Sequence, residues 1–207
     1  MAIGLMGGTF NPIHIGHLII AEWIKDEWGL EKIVFIPAGN PPHKRKNDLI
    51  DPNIRYKLVE TAIGSNKSFE ISDFEIVKED ISYTIDTILY FRSIYKTERL
   101  YFIIGADTLF QLEKWRGFKD LAKMVEFITY SRWGYDKLHI EERIHTLANN
   151  YGFKIYYSNG PEIQISSSSI RDRLKSGLSI RYMVLDSVIK EIEKKNLYKG
   201  VVDGHIV

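Results

Sequence analysis

Short runs of β-branched and aromatic residues alternate along this chain with segments of helical period, and that alternation constrains the fold more than anything else in it. Ala2–Met6, Lys32–Ile36, Leu100–Ile104, Val125–Thr129 and Phe153–Tyr157 read as buried strands. Between them, Ile15, Leu18, Ile19 and Trp23 begin an amphipathic helix that Gly29 can end as the residue after its C-cap. A second helix opens at Asp51-Pro52, an N-cap followed by proline at the first helical position, with Ile54, Leu58, Val59 and Ala62 on one face. Others are expected over about Thr84–Tyr95, His139–Asn150, Ser168–Ser176 and Tyr182–Lys195. Strands joined by helices imply right-handed crossovers, so the fold class is α/β: a doubly wound parallel sheet with helices on both faces. Such sheets bind ligands beyond the carboxyl ends of their strands, at the switch point in strand order.

Size and charge narrow the classes of function. The 207 residues suit one domain at roughly 150 residues per domain. The expected layout is a single domain over 1–207, with a helical C-terminal part from about 166 to 197 and a flexible tail from about 198. Lys and Arg together number 28 against 27 Asp and Glu, a net charge of +1. That balance argues against a nucleic-acid or anionic-membrane binder, which would carry a basic excess. The chain has no cysteine, so disulfides, thiolate zinc sites and a cysteine nucleophile are excluded. The N-terminus lacks a basic leader, and no apolar run approaches the roughly 18 residues of a membrane span. A cytoplasmic protein is expected.

The densest chemistry lies between the first strand and the first helix: Gly7-Gly8-Thr9-Phe10-Asn11-Pro12-Ile13-His14-Ile15-Gly16-His17. Adjacent glycines let a ligand approach the backbone, and the helix N-terminus adds unpaired amides and a partial positive charge. His14 and His17, three apart, fall on one face of the first turn. A phosphate chain there would meet amides, two imidazoles and the helix dipole together. The plainer alternative is a strand–turn–helix joint with two internally bonded histidines. No metal site is expected from this pair, since no further ligands accompany it.

A second cluster, Ile165-Ser166-Ser167-Ser168-Ser169-Ile170-Arg171, opens a late helix. Serines suit an N-cap, amides and hydroxyls make an anion site, and Arg171 in the first turn can fork onto phosphate oxygens. A serine-rich cap with a solvated arginine would also explain it. The dinucleotide-binding G-x-G-x-x-G and the P-loop G-x-x-x-x-G-K-[ST] are both absent.

The first cluster resembles, without a departure, the G-[ST]-F-[ND]-P-x-H-x-G-H signature of the nucleotidyltransferase superfamily, whose fold is a Rossmann-like sheet. The second resembles that superfamily's I-S-S-T-x-[IV]-R element, with Ser168 where threonine is usual. Further segments narrow the likeness to the nicotinate-mononucleotide adenylyltransferases. They are Pro37-Ala38-Gly39-Asn40-Pro41-Pro42-His43-Lys44, Ser82-Tyr83-Thr84-Ile85-Asp86-Thr87, Ile104-Gly105-Ala106-Asp107, and Trp115 eight residues after Asp107.

This resemblance implies transfer of an adenylyl group from ATP to nicotinate mononucleotide, giving deamido-NAD and pyrophosphate in NAD biosynthesis, with Mg²⁺ carried on ATP. It implies that His14, His17 and Arg171 are catalytic. With them, Gly7, Gly8, Thr9, Phe10, Gly16, Gly105, Asp107, Ile165, Ser167 and Ser168 would bind ATP. Asn11, Lys44, Thr84, Trp115 and Arg116 would bind the mononucleotide, with Thr84 and Trp115 gripping its pyridine ring. Arg116 departs from the aromatic or histidine more usual after this Trp. A related enzyme using nicotinamide mononucleotide or another phosphate acceptor stays open, as do a non-catalytic nucleotide sensor and a homo-oligomer.

Overall fold

The computed structural model describes residues 1–42, 49–78, 80–131 and 134–198, and the backbone of 201–202 and 205–206. Six strands form one all-parallel sheet: β1 (Ala2–Gly8), β2 (Lys32–Pro37), β3 (Phe69–Ile71), β4 (Arg99–Gly105), β5 (Glu126–Tyr130) and β6 (Ile155–Ser158). Their order is β3-β2-β1-β4-β5-β6, so the strand order reverses between β1 and β4. The chain returns across one face through α1 (Ile15–Glu27) and α2 (Pro52–Ile63), and across the other through α3 (Thr84–Ile94), α5 (Phe118–Met124) and α6 (Lys137–Tyr151). A single turn, α4 (Ala106–Leu109), follows β4, and α7 (Ser167–Lys175) and α8 (Asp186–Lys194) close the fold.

The period of two in each strand divides the core between the faces. Met6, Ile33, Phe35, Tyr101, Ile103 and Ile128 face one layer, with Ile20 and Ile24 of α1, Leu58 and Val59 of α2, Ile170 of α7 and Val188 of α8. Ile3, Leu5, Val34, Ile36, Phe102 and Phe127 face the other, with Ile88 and Phe91 of α3, Leu121 of α5 and Leu147 of α6. Strands apolar on both sides are those of a sheet covered on both sides.

Local signals act where the sequence places them. Asp51 caps α2 by accepting from the amides of Asn53 (2.8 Å) and Ile54 (3.3 Å), with Pro52 first in the helix. Gly29 adopts φ +57° just past α1, the left-handed geometry that lets the chain leave the helix. The last helix starts at Asp186 rather than near Tyr182, because Tyr182 (φ +64°) and its neighbours form a loop whose Met183 carbonyl accepts from the Ile15 amide at 2.9 Å. The first residue of the expected tail is packed in place. Tyr198 packs against the first core layer and its hydroxyl donates to Asn11. Beyond it, Val201–Val202 pairs antiparallel with His205–Ile206.

Candidate active site

The carboxyl ends of β1 and β4 open into a cleft of about 1110 Å³, at the switch in strand order. Its floor is the 7–11 loop and Gly105. Thr84, Asp107, Trp115 and Arg116 line it from one side, and Ser166, Ser167, Ser168 and Arg171 from the other. Both sequence clusters and the middle motifs therefore converge on one cavity. Lys44 lies outside the described residues, while Ala38, Pro41 and Pro42 of its loop line the cleft.

The histidines form the N-terminus of α1. His14 is the N-cap in extended geometry, and its amide donates to Nδ1 of His17 at 3.2 Å. Since Nδ1 accepts, the neutral His17 ring carries its proton on Nε2. The rings stack with centroids 3.6 Å apart. Phe10 is a core side chain, buried and edge-on to His17 at 5.1 Å. A side chain at Gly8 would meet the Phe10 ring 2.9 Å away, so this glycine serves internal packing as well as ligand approach. Gly16 and Ile165 line a small recess behind the two histidines instead of the main cleft.

The serine cluster caps α7 as its composition suggests: Ser166 Oγ accepts from the Ser169 amide at 3.1 Å. The same turn is tied to the first motif. Ser167 Oγ donates to the Pro12 carbonyl and Arg171 Nη1 to the Asn11 carbonyl, each at 2.8 Å, and Arg171 Nη2 reaches Ser168 Oγ at 3.3 Å. Lys175, one turn further along α7, also lines the cleft and was not among the expected residues.

On the opposite side Thr84 is the first residue of α3, with Tyr83 as the N-cap. Trp115 is half-buried, its ring edge-on to Phe102 with 6.1 Å between centroids. Arg116 is exposed and lays its guanidinium over the Tyr83 ring, 4.7 Å from the centroid. Asp107 stands in the first turn of α4.

Two buried ionisable residues shape the cleft without any motif signal. Arg55 of α2 is fully buried and donates to three backbone carbonyls: Thr9 (2.8 Å), Gly39 (3.0 Å) and Ile50 (3.1 Å). Burial lowers its pKa. Glu75 lines the cleft and accepts from Thr87 Oγ1 at 2.6 Å. Burial raises its carboxyl above the usual range, against the pull of the Thr87 and Ser82 hydroxyls. A side chain at Gly39 would meet the Glu75 carbonyl only 1.9 Å away, so only glycine fits this crossing. Helical spacing places Arg55 on the buried face with Leu58, Val59 and Ala62, but a lone arginine there belongs to no motif, and its carbonyl partners are set by the fold.

Residues 5–173 match the model of the cytidylyltransferase-like family. Over 200 residues the chain is 42% identical to the "Probable nicotinate-nucleotide adenylyltransferase" of Thermoanaerobacter sp. (strain X514), covering 96% of this chain and 95% of that one. The chain belongs to the nicotinate-nucleotide adenylyltransferase family. A second member, from Caldicellulosiruptor bescii and bearing the same name, is 43% identical over 199 residues, with 96% of this chain and 100% of that one covered. In fold, the family member here is similar to Plasmodium falciparum nicotinic acid mononucleotide adenylyltransferase complexed with NaAD. The TM-score is 0.79 at 21% identity, over 95% of this chain and 97% of that one.

Proposed function

We propose that this chain transfers the adenylyl group of ATP to nicotinate mononucleotide, forming deamido-NAD and releasing pyrophosphate. The observation that carries this reading is the tie between the two phosphate-binding segments. Ser167 and Arg171 each donate to the loop that runs into His14 and His17. One polyphosphate can therefore meet imidazoles, serine groups and a guanidinium in a preset arrangement.

The nucleophile is the acceptor's own phosphate. A phosphate monoester loses its second proton at a pKa near 6, so at neutral pH it attacks the α-phosphorus without an enzymic base. The protein's work is alignment and charge neutralisation. His17 offers Nε2–H to an oxygen of the transferring phosphate, with His14 stacked beside it. Arg171, steadied by the Asn11 carbonyl and Ser168, turns its remaining N–H donors to the outer phosphates, with Ser167, Ser168 and the α7 amides around them. Gly7, Gly8 and Thr9 bring backbone close to ATP, Gly105 and Asp107 meet its ribose side, and the half-buried Trp115 offers a face to the acceptor's pyridine ring.

The cleft is lined by imidazole, hydroxyl, guanidinium, ammonium and amide groups and by the separate carboxylates of Glu75 and Asp107, with no group of three or more His, Cys, Asp or Glu among the described residues that could hold a metal. That set fits Mg²⁺ held by the oxygens of ATP and by water, where it would neutralise triphosphate charge. No helix among the described residues is long and apolar enough to cross a membrane, in keeping with a cytoplasmic place for the reaction. The test is acceptor-dependent pyrophosphate release: ATP with nicotinate mononucleotide should yield pyrophosphate and deamido-NAD in equal amounts, and ATP alone neither. A protein that binds ATP but releases no pyrophosphate with any mononucleotide would be a sensor instead.

A further inference from the structure

Glu75 belongs to none of the motifs and lies between β3 and α3, in a stretch that is neither strand nor helix. It is only 8% exposed, yet it lines the cleft. Burying a carboxyl is costly unless hydrogen bonds recover the lost hydration. Its hydrogen-bonding partners both belong to the start of α3. Thr87 Oγ1, in that helix's second turn, donates to Oε1 at 2.6 Å, and the hydroxyl of Ser82, the residue ahead of the Tyr83 N-cap, acts on the same carboxyl. Ser82 is itself paired with Asn40: its amide donates to the Asn40 carbonyl at 3.0 Å, and its Oγ accepts from the Asn40 amide at 3.3 Å. Glu75 thus links α3 to the segment after β2, two stretches that both line the cleft through Ala38, Pro41, Tyr83 and Thr84.

We propose that Glu75 is a positioning residue for the acceptor's pyridine ring, acting by locking the start of α3 against the 38–42 segment as one wall of the cleft. The start of α3 needs such a lock because Tyr83 provides no side-chain cap bond. A helix start without that bond has first-turn amides to offer a ligand, and their direction is set by whatever holds the first turns in place. Two contacts do so from the 75–78 stretch. Lys78 pairs with Asp86 at 3.1 Å, but both side chains are partly exposed and such a pair holds weakly. The Glu75–Thr87 bond is buried on both sides and is the stronger tie. The phosphate side of the cleft has ties of its own, Ser167 to Pro12 and Arg171 to Asn11, and neither runs through Glu75. Losing the Glu75 carboxyl therefore shifts one wall and leaves the other. This role rests on the proposed transfer to a mononucleotide, with Thr84 and Trp115 on the acceptor side.

The test uses the full chain, with ATP and nicotinate mononucleotide varied separately. Glu75→Ala should raise KM for the mononucleotide about 10-fold, the scale of one lost hydrogen bond, and leave KM for ATP within about twofold. Thr87 is 1% exposed, so its hydroxyl reaches the acceptor only through Glu75. Thr87→Val keeps the shape, removes that hydroxyl, and should raise the mononucleotide KM about 3-fold or more. Added to Glu75→Ala it should cause no further rise, because both changes break the same link. A merely stabilising role would lower the melting temperature while both KM values stay put or move together, and either pattern overturns the proposal. A Glu75 that touches the acceptor directly would leave Thr87→Val at the wild-type KM, which also overturns it. If Glu75→Ala does not fold, Thr87→Val decides by the same reading. A wild type that makes no deamido-NAD overturns the functional reading and this inference together, whereas an active wild type beside an unaffected Thr87→Val overturns this inference alone.

Discussion

His14 and His17 stack face to face, their ring centroids 3.6 Å apart and their planes 24° from parallel, while the His14 amide donates to His17 Nδ1. The pair is a preformed donor edge, because one ring's tautomer is set by the other residue's backbone. His17→Ala should therefore cut turnover about 10²–10³-fold, the effect of removing one preorganised donor to a transferring phosphate. The fold should survive, since Phe10 and the α1 core contacts remain. Turnover near wild type in a folded His17→Ala protein would remove His17 from the mechanism.

Arg171→Ala should raise KM for ATP more than KM for the mononucleotide, because its donors beyond Asn11 and Ser168 are assigned to the outer phosphates. Steady-state kinetics with each substrate in turn checks the order. The reverse order would place Arg171 on the acceptor side.

Arg55 makes a prediction about stability. Arg55→Met fills the volume and leaves three carbonyls of half-buried residues, Thr9, Gly39 and Ile50, without their arginine donor. Orphaning a fully buried group costs about 1–3 kcal/mol and a half-buried one less, so urea unfolding should show a loss of about 1–3 kcal/mol in all. A loss under about 0.5 kcal/mol would mean the three bonds carry little.

Much of the architecture was legible in the sequence, for reasons the structure makes plain. Five strands were readable because a sheet covered on both faces requires continuous apolar runs, and α2 announced itself through Asp51 and Pro52. The edge strand Phe69–Ile71 was not, since three residues give no periodicity, and α4 and α5 are too short for a helical repeat. In the site, His17, Arg171 and Trp115 were readable because each stands in a local motif. Arg55, Glu75 and Tyr198 were not, because each acts through partners distant in sequence that only the fold brings near. The internal bonding that the plainer reading of this joint expects is present. The His14 amide bonds the His17 ring, and with Nδ1 accepting, the neutral ring carries its proton on Nε2.

Glu75 gives the site a pH signature. Burial raises its folded pKa above that of the unfolded chain, so between the two values the native state holds a proton the unfolded state has lost. Its contribution to stability is present below the unfolded pKa and is lost as pH rises through the folded one. Glu75→Gln removes that dependence. The melting temperature of Glu75→Gln minus that of wild type should therefore climb as pH rises above the ordinary carboxyl range, from about pH 4 upward. A flat difference would show that Glu75 titrates as an ordinary surface carboxyl.

The central claim is that the acceptor is nicotinate mononucleotide, and the choice of acid over amide tests it most directly. Thr84 at the start of α3 presents donors suited to a carboxylate, whereas the Trp115 amide is taken by the Leu112 carbonyl at 3.0 Å. Arg116, over the Tyr83 ring, places a cation at the same rim of the cleft. A nicotinamide would set its own NH₂ against those donors and leave them unpaired, a mismatch worth up to about 10⁴-fold in specificity and less where the pocket is open. The measurement is kcat/KM for nicotinate and nicotinamide mononucleotides with ATP, in wild type and in Arg116→Ala. The expected result is a ratio of about 10² or more in favour of the acid, reduced but not reversed in Arg116→Ala. Equal use of the two mononucleotides by the wild type would contradict the account.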